Sequence, residues 1–128
     1  MPKGFEEWLK QSDYDLKTAE AMFFSKRYVY VVFMCHLSLE KALKGFYQKK
    51  LRAIPPKVHN FIFLIEAVGL ALPEDLYQVV FSINRVSIPT RYPEDLKKMQ
   101  KEYTKQKSGK LLMQSKEVLK WLKKELKK

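Results

Sequence analysis

Residues 28–50 read YVYVVFMCHLSLEKALKGFYQKK, and the spacing of their apolar side chains decides the fold. Tyr28, Val32, Cys35, Leu39, Ala42 and Phe46 step by four, three, four, three and four residues, the seam of a helix packed nearly parallel or antiparallel to its neighbours. Val29, Val31, Phe33 and Leu43 widen the apolar arc beyond that seam. The spacing therefore predicts a long central helix ending near Lys50 that touches several neighbours or lies in a dimer interface. A homodimer through this helix or its neighbours is expected, because one antiparallel partner would leave part of the arc bare.

Upstream of this helix, Phe5, Trp8, Leu9, Ser12, Leu16, Ala19 and Phe23 form one stripe at spacings of three and four, a helix over about residues 4–25. Downstream, Pro55 and Pro56 stop any helix and open a connector. Asn60 suits an N-cap, and Phe61, Leu64, Ile65 and Val68 make a short helix that stops near Gly69. Pro73 fits a first helical turn, with Glu74 and Asp75 at the positive end and Leu76, Val79, Val80 and Ile83 as the buried stripe; this helix ends before Pro89. Residues 88–103 hold Pro89, Pro93 and many charges, and predict a long exposed connector with a weak turn around Leu96 and Met99. Thr104 can cap a last helix whose stripe is Leu111, Ser115, Val118, Leu119, Leu122 and Leu126, and Gly109 weakens it unless something packs closely there. No period-two alternation and no internal repeat is present. An all-α protein of about five helices, one domain over residues 1–128, follows.

Composition narrows the function. With 46% hydrophobic residues in 128, the chain fills one core and leaves nothing for a second. The single cysteine, Cys35, excludes an intrachain disulfide and four-cysteine zinc frameworks, and its apolar setting marks it as a small buried hydrophobe. The opening MPKGFEEWLK has no apolar leader-like run, and no stretch approaches the roughly 18 apolar residues of a membrane span, so a soluble cytoplasmic protein with no membrane association is expected. Four glycines leave little room for a phosphate-cradling loop; no serine-nucleophile motif or paired-carboxylate constellation appears, so neither an independent NTPase nor a cofactor is expected. His36 and Glu40 stand one turn apart, as metal ligands can, but without a second pair they predict no metal site.

The net charge of +11 points to polyanions, which bind Lys and Arg by releasing counterions. From Lys97 to Lys128 there are twelve Lys against three Glu, a net of +9, so the C-terminal segment is a basic arm or face. Lysine outnumbers arginine 21 to 4, although specific phosphate and base recognition favours the arginine fork. A solvated lysine face and a nucleic-acid surface both remain open.

Three phrases in order, VFMCHLSLEKALKGF, KVHNFIFLIE and SIPTRYP, resemble the HEPN family over most of the chain. The family's helix-two pattern runs Phe, two small residues, two glutamines, Ala, any residue, then Glu-Lys-Ala-Leu-Lys. Phe33, Glu40, Lys41, Ala42, Leu43 and Lys44 match it, whereas His36 and Leu37 occupy the glutamine positions and Ser38 the small one. In the second phrase His59 is retained from Thr-His-Asp-Leu and Asn60 takes the acidic capping position; Arg91, Tyr92 and Pro93 match unchanged. The resemblance implies an up-down four-helix-type bundle that commonly dimerises, often beside a small nucleotidyltransferase in a toxin–antitoxin-type pair.

Many HEPN proteins are metal-independent ribonucleases with an Arg, four to six residues and a His near the C-terminal helices, the His serving acid–base work. No histidine follows His59 here, so neither Arg85 nor Arg91 begins that motif in its expected place, and Arg52 and His59, with six residues between them, flank two prolines instead. Arg91 and Tyr92 remain candidates to hold phosphate and stack a base, or to pin the bundle, and His59 and Lys57 join them as nucleotide or phosphate ligands. A purely structural His59 would orient the entry to helix three through a backbone hydrogen bond. Three functions follow as expectations: a nucleotide- or RNA-binding regulatory module paired with a nucleotidyltransferase, an endoribonuclease toxin with an irregular site built on His59 and Arg91, and a structural homodimeric assembly protein.

Overall fold

In a computed structural model, which describes residues 4–86 and 94–128, the central segment is a helix over Tyr28–Leu51, here α2. Val32, Cys35, Leu39 and Ala42 of the predicted seam are wholly buried and Phe46 almost so, while Tyr28 is half-buried. The other helices among the described residues are α1 (Phe5–Phe24), α3 (Phe61–Val68), α4 (Glu74–Arg85), α5 (Leu96–Glu102) and α6 (Lys105–Leu126), with no strand among them. α2 touches all five. Of its wide apolar arc, Val29, Val31 and Leu43 are buried within one chain and Phe33 is half-buried, so most of that arc is covered without a second copy.

Side-chain pairs give the directions. Trp8 meets Gln48 and Asp15 meets Lys41, so α1 and α2 are antiparallel. Glu20 meets Lys116 and Asp13 meets Lys123, so α1 and α6 are antiparallel too, and α2 therefore runs parallel to α6. The result is an up-down bundle of α1, α2, α4 and α6. Leu39, Leu43, Phe61, Leu64, Val80, Ile83, Val118 and Leu122 fill its centre, each with almost no surface left to water. Burying each such side chain is worth about 1.5–3 kcal/mol.

Three small residues set how closely α1 and α2 approach. Ser12 Oγ donates to the Ser38 carbonyl at 2.6 Å and Ser38 Oγ donates back to the Ser12 carbonyl at 2.9 Å, both side chains fully buried. Further along, a Cβ on Gly45 would lie 3.1 Å from Trp8 Cβ and 3.4 Å from the Phe5 carbonyl oxygen. Caps end the helices as the sequence predicts: Asn60 Oδ1 accepts from Ile62 N and Phe63 N, Thr104 Oγ1 accepts from Lys107 N, and Gly69 leaves α3 at a φ of 65°.

One element departs from the sequence reading. Leu96–Glu102 is a helix rather than a weak turn in a connector; Asp95 caps it by accepting from Lys98 N, and Met99 and Tyr103 bury against Val29 and Val32. Two apolar residues four apart are too few to register as a stripe. The α6 stripe is also turned slightly, with Leu112 buried and Leu111 half-buried, and Ser108 extends it. Among the described residues no helix is long and apolar enough to cross a membrane.

Burial pushes the Cys35 thiol from 9.0 up to about 11, against the smaller opposing pulls of the Ser115 hydroxyl and the Lys116 ammonium. The neutral thiol is thus favoured by folding; its contribution is whole below pH 9 and is lost as pH rises through 9 towards 11. At pH ~8 a thiol reagent should label the native protein about a hundredfold or more slower than the urea-unfolded chain, and comparable rates would show that Cys35 is accessible. The two close glycines should separate in urea denaturation. Gly45→Ala should destabilise by about 1–2 kcal/mol despite its better helix propensity, since its neighbours are backbone and Cβ. Gly109→Ala meets only the far edge of the half-buried Phe23 ring, at 3.1 Å, and should be neutral or stabilise by about 0.5 kcal/mol.

Candidate functional site

The chain leaves α2 at Arg52, whose left-handed φ of 52° turns it back, and residues 53–60 return without helix along the bundle, past the buried Pro55. That return delivers His59 to Glu40, in the middle of α2. His59 Nδ1 lies 2.8 Å from Glu40 Oε1; Lys44 Nζ lies 3.3 Å from Oε2, and His36 Nδ1 lies 3.8 Å from Oε1. Glu40 is only 5% exposed, whereas the His59 side chain is 55% exposed. A buried carboxylate surrounded by these groups has its charge compensated, and it holds the His59 imidazole at Nδ1 while more than half of that side chain meets solvent.

The entry to α3 is fixed on two further sides. The buried His36 ring stacks on Phe61 with centroids 4.4 Å apart and planes at 21°. Phe61 N donates to Asn84 Oδ1 of α4 at 2.8 Å. His59 thus sits where α2, α3 and α4 meet, held by a side-chain carboxylate rather than by the backbone bond expected of a structural histidine. An imidazole fixed through one nitrogen by a carboxylate can present the other to a ligand, as an acceptor or, when protonated, as a donor to a phosphate oxygen.

The family-motif residues of α2 serve this framework. Glu40 anchors the α3 entry, and Lys44 lies 6.0 Å from the Trp8 ring centre while pairing with Glu40. Lys41 pairs with Asp15 of α1 at 2.8 Å. The His36–Glu40 spacing therefore belongs to a carboxylate–cation cluster, whose oxygens face His59 and Lys44. Lys57 is exposed in the same connector as His59. Arg52 does not join them: it stands just past the end of α2, twelve residues beyond Glu40 and about 18 Å along the helix axis, so the Arg52–His59 spacing builds no site. Arg91 and Tyr92, and with them the expected convergence of Arg91 on His59, lie outside the described residues. Asn84 and Asp15 were not singled out from the sequence. Asp15 had a signal, a charge lying between Ser12 and Ala19 on the buried side of α1.

The lysines of α6 divide into two groups. Towards α1, Lys116 pairs with Glu20 at 3.2 Å and Lys123 with Asp13, and near the end of α6 Lys49 of α2 donates to the Leu126 carbonyl. Lys105, Lys107, Lys110, Lys120, Lys124 and Lys127 are exposed.

An all-α up-down bundle organised around a central helix with an EKALK core, and a histidine-bearing entry to a short third helix, defines a class. The HEPN domain family model matches residues 5–126, and the chain belongs to the HEPN domain family. The fold is similar to TT1696 from Thermus thermophilus, with a TM-score of 0.81 at 23% identity over 94% of this chain and 96% of that one. It is also similar to ST0689, an archaeal HEPN homologue, with a TM-score of 0.77 at 25% identity over 96% of this chain and 98% of that one. Among curated proteins none matches.

The cluster makes an asymmetric prediction. Glu40→Ala leaves the Lys44 ammonium buried without its carboxylate and frees the α3 entry, and should cost about 3–5 kcal/mol in urea denaturation. His59→Ala removes one half-exposed hydrogen bond and should cost about 1 kcal/mol. Equal costs would show His59 to be as structural as Glu40.

Proposed function

We propose that this HEPN chain is a binding and regulatory module that engages a nucleotide or RNA and works beside a small nucleotidyltransferase in a toxin–antitoxin-type pair. The observation that carries the ligand half of this reading is His59, exposed yet oriented at 2.8 Å by the buried Glu40. A structural histidine needs no exposed edge, and a mobile surface histidine needs no buried carboxylate; this one has both. Lys57 beside it, and the SIPTRYP segment that follows α4, supply phosphate-directed charge with Arg91 and a stacking ring with Tyr92. The exposed lysines of α6 add non-specific attraction for a polyanion. The nucleotidyltransferase partner, the homodimer and the cytoplasmic setting rest on the HEPN family alone, whose members commonly dimerise.

An endoribonuclease is the second reading, and the His59–Glu40 pair is what favours it. A carboxylate-oriented imidazole suits proton transfer at a 2′-hydroxyl, with Arg91 on the phosphate. The absence of any histidine after His59 removes the family's usual Arg–His arrangement and ranks this reading below binding.

Binding of a labelled single-stranded RNA, followed by fluorescence anisotropy, should weaken steeply between low and physiological salt. Arg91→Ala and His59→Ala should each weaken nucleotide or RNA binding by about 1–3 kcal/mol with the helical circular dichroism unchanged. Salt-independent affinity, or unfolding of Arg91→Ala, would overturn the reading. Incubation with total RNA separates the second one: discrete fragments that disappear in His59→Ala would make the protein a nuclease.

A further inference from the structure

On the other side of α4, away from α3, a groove of about 490 Å³ runs between α4 and α6, within the size range of small-ligand sites. Tyr103, just before α6, lines the same groove as Arg85, the last residue of α4, so the start of α6 faces the end of α4 and the two helices are antiparallel. This places Arg85 on one wall and Lys107 and Lys110, three apart on one face of α6, on the other. Among the described residues none of these three pairs with a carboxylate, and the segment 87–93 contains none. The α6 lysines directed towards α1 are paired with Asp13 and Glu20, whereas Lys107 and Lys110 at the groove have no such partner among the described residues.

The groove is also graded along its length. Arg85 is held over the Phe81 ring, 5.7 Å from its centre, which limits its freedom before any ligand arrives. Burial, then the neighbouring Glu102, keeps the Tyr103 phenol above its ordinary range against the pull of Arg85, so it remains a hydroxyl donor. Gln78 and Gln114 line the groove about 10 Å further along their helices from Arg85 and Lys107, and Asp75 closes the far end. One end thus offers three cations and a phenol, and the other offers amides and a carboxylate suited to ring nitrogens, amino groups or ribose hydroxyls.

We propose that the α4–α6 groove binds a nucleoside phosphate, free or as a unit of an RNA chain, with the phosphate held by Arg85, Lys107 and Lys110. The proposal rests on the nucleotide or RNA reading above but assigns it a site separate from His59. Asn84 reaches the α3 entry and Arg85 the groove, so the two sites lie on opposite faces of the same last turn of α4.

Amide-resolved NMR titration of the wild-type chain with AMP, with inorganic phosphate and with a short oligouridylate tests it. Saturable shifts at residues 82–86 and 103–110 are expected, with AMP binding more tightly than phosphate alone if the free nucleotide is the ligand, or with the oligonucleotide alone saturating if RNA is. Arg85→Ala should weaken that binding about 10- to 100-fold, and Lys120→Ala, on α6 outside the groove, should leave it unchanged. Shifts spread over every lysine-bearing face, or equal losses in the two variants, would reduce the groove to net charge and overturn the proposal. Shifts confined to residues 57–61 would overturn the groove while leaving the His59 reading intact; a groove-only response would do the reverse; no response to any of the three probes would remove both.

Discussion

Glu40 carries a charge in the middle of a helix that other helices enclose on nearly every side. An unpaired carboxylate there would cost several kcal/mol, so the fold is tenable only if something brings compensation to that point. Lys44, one turn on, supplies part of it from α2 itself. The rest comes from His59, which means that the connector after α2 must run back along the bundle rather than away from it. Once His59 is docked, Asn60 is placed to cap α3, Phe61 is set beneath His36, and α3 starts where Asn84 of α4 can accept from its first amide. The path of half the bundle hangs on one carboxylate.

Apolar packing alone would not select this arrangement so sharply, because cores tolerate shifted contacts of similar volume. The buried polar pairs do. Ser12 and Ser38 exchange hydrogen bonds with each other's carbonyls only in one register of α1 on α2, and Asp15 with Lys41 confirms the same register one turn away. The small size of Ser38 and Gly45 allows that approach. At His36 the same logic takes another form: its ring lies against Phe61, and this stacking joins α2 to α3.

Local signals were legible and non-local ones were not. The α2 seam, the Asn60 and Thr104 caps and the Gly69 stop are written in residues within a turn or two of where they act, and the structure has them where the spacing put them. The helix Leu96–Glu102 was not legible, because its stability comes from Met99 and Tyr103 docking on Val29 and Val32 some seventy residues earlier. The same division holds at the site. Glu40 and His59 both stand out in the sequence, but nothing there joins them; the sequence reading paired His59 with Arg91, and only the reversal of the chain after α2 brings His59 to Glu40.

Charge follows a similar geometry. A surplus of +11 spread evenly would give a diffuse field that favours any polyanion weakly. Here α1 spends two of its carboxylates, Asp13 and Glu20, on holding α6, and a third, Asp15, on α2. Neutralisation is therefore concentrated on the α1 side of the bundle. On the α4 side Arg85, Lys107 and Lys110 face one another without such partners, and the aromatic and amide groups between them lower the local dielectric relative to open water. The ion pairs that fasten the last helix to the first thus leave Arg85, Lys107 and Lys110 among the cations open to an anion, near the end of α4 where the two polar sites stand on opposite faces.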